Sequence, residues 1–219
     1  MGIISSSIAR KVAMALSGLF LVIFLTQHFT INITSVLHKE TFNQWSHFMG
    51  TNFVVQFIFQ PILIFGVIFH FIMGFILEYQ NRNARGVKYV SFKGNNNSTW
   101  VSRNMLISGI VILLFLGLHF YDFWVPEIIY KYIDVSEAVE DRYWPELVHK
   151  FESPVRTGIY VLAFVFLAMH LYHGFASSFQ SVGWNNKYAT AIKKFAKVWA
   201  IFIPAGFVFI ALYHHFLNH

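Results

Sequence analysis

The sequence predicts an all-α membrane protein, with five transmembrane helices in one bundle and the N-terminus in the cytoplasm. Three observations predict it. Of 219 residues, 56% are hydrophobic and only 12% are charged, about half the ~25% charged share of a soluble domain. The apolar residues fall into five unbroken blocks rather than alternating or amphipathic patterns. Each block is long enough for the roughly 20 helical residues that a bilayer core requires.

The first block covers 11–33 and follows Arg10 and Lys11. It is too long for the apolar stretch of a signal peptide and lacks a small-residue cleavage site, so it reads as a retained helix. The others cover 53–79, 101–125, 155–180 and 195–216, and lysine and arginine fall only near their ends. The whole chain, 1–219, reads as one integral-membrane domain. The first connection, 34–52, is polar and suits an interfacial turn. The second, 80–100, is basic and rich in Asn and Gly, which marks a loop. The third, 126–154, is acidic; a short surface helix is expected near 134–143, ended before Pro145. The fourth, 181–193, is short and basic. Trp45, Tyr79, Trp100, Trp124, Tyr130, Trp184 and Trp199 fall near helix ends, where amphipathic rings meet both water and lipid.

The net charge of +6 is distributed by side. Arg10, Lys11, Arg82, Arg85, Lys88, Lys93, Arg103, Lys187, Lys193, Lys194 and Lys197 share one side of the expected bilayer. The other side has Lys39, Lys131, Arg142, Lys150 and Arg156 with nine of the ten acids. The positive-inside rule puts the first side in the cytoplasm. This division argues against a nucleic-acid face. Cysteine is absent, which excludes disulfides, thiolate-held clusters, covalent c-type haem and cysteine nucleophiles.

Residues 17–29, SGLFLVIFLTQHF, and 108–120, SGIVILLFLGLHF, share a frame. Each has Ser-Gly, then a histidine ten residues after the glycine. Helices one to four each hold one deep histidine: His28, His70, His119 and His170. Ionisable groups at such depth are costly and mark function. Helices alternate in direction, so His28 and His119 share the outer half and His70 and His170 the cytoplasmic half. Gly18 and Gly109 precede the outer histidines, and His70 and His170 each start a His-x-x-x-Gly motif ending at Gly74 and Gly174. A glycine near a ligand opens room for the edge of a flat macrocycle. Zinc asks for three or four ligands, and no carboxylate or thiol is expected at this depth. Haem iron takes two axial ligands, imidazole among them. Two pairs therefore imply two b-type haems, and bis-histidine iron, with no open position, moves electrons. His173 rivals His170 on helix four, although the glycine spacing favours His170; His173 then meets a haem propionate or faces the bundle. His214, His215 and His219 read as interfacial, and His38, His47 and His149 as solvent-exposed.

With these residues in place the chain resembles the membrane cytochrome b subunit of succinate dehydrogenase or fumarate reductase. The resemblance is to the b558-type class with five helices and two haems on one polypeptide. It rests on Ser17-Gly18-Leu19-Phe20 followed by His28, on His70 and Gly74 leading to Asn81-Arg82-Asn83-Ala84-Arg85, on Ser102-Arg103 with Ser108-Gly109 and His119, and on His170 with Gly174. It implies that His28 and His119 hold a haem distal to the cytoplasm and that His70 and His170 hold the proximal one. It implies a flavoprotein subunit with FAD and an iron–sulfur subunit on the basic face, menaquinone as substrate, and a bacterial cytoplasmic membrane. The chain would be the non-flavin part of an enzyme that oxidises succinate or reduces fumarate. A di-haem anchor of a hydrogenase or formate dehydrogenase would share the same histidine chemistry. A transporter or purely structural bundle would hold no haem. Some relatives use carboxylates near the outer end of helix two and just before the helix-four histidine, but apolar residues precede His170 here. Quinone or proton contacts are then expected from His38, His47, Gln56 or Arg156. Propionate partners are expected from Arg82, Arg103 and Lys187 near the proximal haem, and from Arg156 near the distal one, with Ser17 as a hydrogen-bond donor.

Overall fold

The computed structural model describes residues 6–83, 105–184 and 186–217. Most of the basic second loop, with Arg85, Lys88, Lys93 and Arg103, lies outside the described residues, as does His219. The described chain forms α1 (Ser7–Leu37), α2 (Lys39–Thr51), α3 (Val55–Asn83), α4 (Met105–Ile133), α5 (Tyr143–Phe151), α6 (Pro154–Ser181) and α7 (Ala189–Leu217). Five of them, α1, α3, α4, α6 and α7, are long and apolar enough to cross a membrane. Each overlaps an expected block and runs past it by a few residues at one or both ends, because backbone hydrogen bonding continues where the apolar pattern stops.

Large apolar side chains cover the outside of these helices. Ile23, Phe65, Leu114 and Phe202 are each more than 60% exposed. Such a surface suits lipid and not water. The buried core lies off-centre. Phe29, Phe164, Ile203, Phe207 and Ile210 fill the seam between α1, α6 and α7. Helix α3 packs on α1 and α4 packs on α6, whereas α3 and α4 touch each other only slightly. Pro204 lies inside α7, as apolar membrane helices tolerate when neighbouring helices are packed on them.

Two local expectations are corrected. The first connection is a helix, α2, rather than a turn. The surface helix expected at 134–143 is absent; a 3-10 turn spans Glu140–Arg142 and α5 begins at Tyr143. Pro145 lies in the first turn of that helix rather than stopping one, because a proline there gives up an N–H that has no intrahelical acceptor anyway. Ser153 caps α6, accepting the Arg156 N–H at 3.4 Å, and Pro154 occupies the first turn.

Helices α2 and α5 sit together at the end of the bundle where α1 finishes, here called the acidic end. The backbone N–H of Trp144 donates to Asn43 Oδ1 at 2.8 Å, and its indole N–H donates to the Ser35 carbonyl at 2.9 Å. Ser35 also meets His214 at 2.9 Å, and His215 Nδ1 meets the Phe151 carbonyl at 2.8 Å. His214, at this end of the bundle, is fully buried. Beside this cap, Glu127 joins Lys131 at 2.5 Å and also pairs with Arg142. Burial works against the Arg142 charge, but bonds from Glu127 and Glu146 outweigh it and hold the guanidinium above its ordinary value. Burial, then Glu127, pushes the Tyr143 hydroxyl up to about 12.

Candidate functional site

The four deep histidines meet as two pairs inside the bundle. The His28 and His119 rings, from α1 and α4, have centroids 5.8 Å apart. The His70 and His170 rings, from α3 and α6, are 6.4 Å apart. The pairs lie at different levels. Gly18 lies against the His70 ring and stands ten residues before His28, so the levels differ by about 15 Å along α1.

The His70 and His170 pair is oriented by two serines. Ser17 Oγ donates to the Met14 carbonyl at 2.8 Å and lies 3.0 Å from His70 Nδ1. Ser108 Oγ donates to the Met105 carbonyl at 2.9 Å and lies 3.2 Å from His170 Nδ1. A hydroxyl has one proton. With that proton on a carbonyl, each serine accepts from the histidine, which assigns the ring proton to Nδ1. Nε2 is then the nitrogen with a free lone pair on both rings, the tautomer a metal ligand needs. Ser17 was expected to donate toward a propionate; here it accepts from an axial candidate. Ser108 matches it on the other side.

The surrounding glycines divide in importance. A Cβ on Gly18 would stand 3.3 Å from His70 Cε1 and 3.4 Å from Ser178 Oγ, and one on Gly109 would stand 3.7 Å from His170 Cε1. Gly74 and Gly174 instead face the methyl ends of Met14 and Met105, which can move aside. Gly18 is thus the tightest of the four against a ring.

The His28 and His119 pair is walled by aromatic rings. Phe24 stacks on His28 at 5.4 Å, with Phe207 at 5.7 Å; Phe115 and Phe123 flank His119 at 5.8 and 5.2 Å. Among the described residues no serine serves this pair. His28 Nδ1 has Asn32 at 3.5 Å, and His119 Nδ1 is buried without a partner among the described residues.

One turn beyond His119, inside a π-helical turn at Phe120–Trp124, Asp122 is 1% exposed. Its Oδ2 accepts from Tyr160 at 2.9 Å and from Arg156 Nε at 3.2 Å, while Oδ1 is buried with no partner. This corrects the expectation that no carboxylate lies at the depth of the histidines. Arg156 is held by Asp122 rather than being free for a propionate. π-Helical turns recur at functional sites.

The remaining expected residues stay apart from both pairs. His173 lines a cavity between α6 and α7, and His170 is the α6 histidine that faces α3. Arg82 binds Glu78 at 2.7 Å on an exposed face. Lys187 rests over Tyr188. His38 is exposed beside Glu40 and Thr41. His47 leans on the Tyr143 ring with a buried, unpartnered Nδ1. Gln56 donates to the Met49 carbonyl at 2.7 Å, tying the start of α3 to α2. Asp122 and Tyr160 escaped notice in the sequence. Their signal was a lone acid three residues after a deep histidine, inside an apolar block.

Two imidazoles on opposite sides of one metal, each nitrogen about 2 Å from it, put ring centroids about 6 Å apart. The separations of the two pairs, 5.8 and 6.4 Å, bracket that value. The donor set, two imidazole nitrogens with no third ligand among the described residues, fits the axial positions of haem iron. The orphaned His119 nitrogen leaves the second pair with less support around it. No known protein family, curated protein or solved structure matches this chain.

Proposed function

We propose that this chain is the membrane cytochrome b subunit of a succinate:quinone oxidoreductase of the succinate dehydrogenase and fumarate reductase kind. The observation that carries the reading is the pair of facing imidazole couples at two levels of a membrane-spanning bundle. His70 and His170 would hold one b-type haem at the basic end, and His28 and His119 a second near the acidic end. When bound, such haems supply single-electron transfer across the bilayer. The residues around them supply the rest. Ser17 and Ser108 fix the ring tautomers. Phe24, Phe115, Phe123 and Phe207 exclude water from the outer pair. Asp122 Oδ1, beside that pair, would hold or release the proton that quinone chemistry exchanges.

The basic end, cytoplasmic by the positive-inside rule, would receive an iron–sulfur subunit and with it a flavoprotein subunit carrying FAD. Menaquinone would react toward the acidic end. The membrane would be a bacterial cytoplasmic membrane.

A reduced-minus-oxidised spectrum of the purified chain tests the reading, together with haem quantification. About two b-type haems per chain are expected. His28→Ala and His119→Ala should remove the same haem, and His70→Ala and His170→Ala the other. A correctly folded, haem-supplied chain without colour would sink the reading. So would loss of one shared haem from His28→Ala and His70→Ala. Succinate-dependent quinone reduction by the copurified complex separates this assignment from a hydrogenase or formate dehydrogenase anchor.

A further inference from the structure

At the basic end, between the end of α6 and the start of α7, lies a half-open cavity of about 400 Å³. Tyr172, His173, Ser177 and Gln180 line it from α6, and Lys193 and Lys197 from α7. Lys197 Nζ stands 5.1 Å from the centre of the Tyr172 ring, so one wall is a cation held against an aromatic face. No acid lines the cavity. From Glu78 to Asp122 the sequence has no acidic residue, and Glu78 is already paired with Arg82. The cavity therefore presents two lysines with no countercharge among its described neighbours.

The flank on the bilayer side of this cavity is apolar. One turn beyond Lys197 and on the same face of α7, Ile201 is 55% exposed. On α6, Val165 lies two turns before Tyr172 and is 50% exposed. A charged recess thus opens at the edge of a span onto an uncovered, greasy seam. A soluble anion would use the recess alone. An amphiphile with a phosphate head and acyl chains would use both.

We propose that this recess binds the headgroup of an anionic phospholipid, with Lys193 and Lys197 holding the phosphate and the acyl chains running along the α6–α7 seam. Basic pockets between membrane helices on the cytoplasmic side recognise such headgroups. The alternative for the lysines is simple snorkelling to the interface, which needs no recess and no particular lipid. The proposal depends on membrane insertion and not on haem, because α7 contributes none of the four facing histidines.

The test uses the full chain, purified and reconstituted in nanodiscs of phosphatidylcholine with a minor fraction of phosphatidylglycerol. Lipid retained through detergent exchange is counted by mass spectrometry. The wild-type chain should retain phosphatidylglycerol in preference to phosphatidylcholine, and excess inorganic phosphate should not displace it. The Lys193→Gln/Lys197→Gln chain should lose that preference by on the order of tenfold. The Lys187→Gln/Lys194→Gln chain, with the same charge removed at the same end, should keep it, as should Lys193→Arg/Lys197→Arg. Equal retention of both lipids by the wild type, which needs no variant to read, would overturn the proposal. Displacement by inorganic phosphate would reassign the recess to soluble anions. Equal loss in both glutamine pairs would reduce it to general surface charge. Loss of haem from Lys193→Gln/Lys197→Gln would make it a propionate site.

Discussion

Ser17 and Ser108 each have one proton to give, and each gives it to a carbonyl in its own helix. That leaves both oxygens as acceptors for a histidine from the neighbouring helix. Ser17→Ala or Ser108→Ala should therefore weaken haem retention at the His70 and His170 pair by about 10–100-fold, as outer partners of metal-bound histidines do. The readout is haem loss to an apo-globin scavenger, with the His28 and His119 haem unchanged. Depletion of the other haem would contradict the geometry. Gly18→Ala should disturb the same haem more than Gly109→Ala, since the first new methyl would stand 3.3 Å from a ring carbon and the second 3.7 Å. At the other level, Asp122→Asn keeps the side-chain shape but removes the charge that Arg156 and Tyr160 meet. It should leave both haem spectra in place and slow haem reduction by a menaquinol analogue by on the order of 100-fold, the usual worth of a positioned proton acceptor. An unchanged rate, measured by stopped-flow absorbance, would confine Asp122 to a structural role.

The spanning helices were legible because their apolar blocks are long and their charges fall at the ends. The cap at the acidic end was not, because both of its helices are short, and each is held by packing on the other and on the ends of the spanning helices. Asn43 illustrates the point. In the sequence it is one polar residue in a polar stretch; in the fold it is 1% exposed and accepts the Trp144 N–H. His214 is similar, since the sequence shows a histidine near a helix end while the fold places it, fully buried, against Ser35. Pairing of the deep histidines was readable from depth and helix direction. The exchange of partners between helices, Ser17 to His70 and Ser108 to His170, was not, because it depends on helix rotation rather than on spacing. The cap makes its own prediction. Asn43→Ala removes a buried acceptor and strands the Trp144 N–H, a cost of about 1–3 kcal/mol. Thermal unfolding in detergent should fall accordingly, and limited proteolysis should open first within 39–52. A midpoint equal to the wild type would mean the α2–α5 junction contributes nothing to stability.

Across the whole molecule, α1 with α3 repeats as α4 with α6. Met14, Ser17, Gly18 and His28 have the same spacing as Met105, Ser108, Gly109 and His119. His70 and Gly74 meet Ser17 and Met14 as His170 and Gly174 meet Ser108 and Met105. Parallel repeats of this kind are related by an axis along the membrane normal, and each histidine couple joins equivalent positions of the two halves. Helix α7 breaks the symmetry by covering the α1–α6 seam and leaving the α3–α4 side thinly packed. The charge pattern breaks it along the other direction, with the basic end opposed to an acidic cap. By the positive-inside rule that polarity predicts a cytoplasmic basic end, and the absence of cysteine makes the orientation easy to test. A single introduced thiol is the only one in the chain. Ser98→Cys, in the basic segment 80–100, should resist an impermeant maleimide in intact cells and react once the inner face is exposed. Ser136→Cys, beyond α4, should react in intact cells. The opposite labelling pattern would invert the bundle. It would place the His70 and His170 couple away from the cytoplasm and remove the basic end as a docking face for cytoplasmic redox partners.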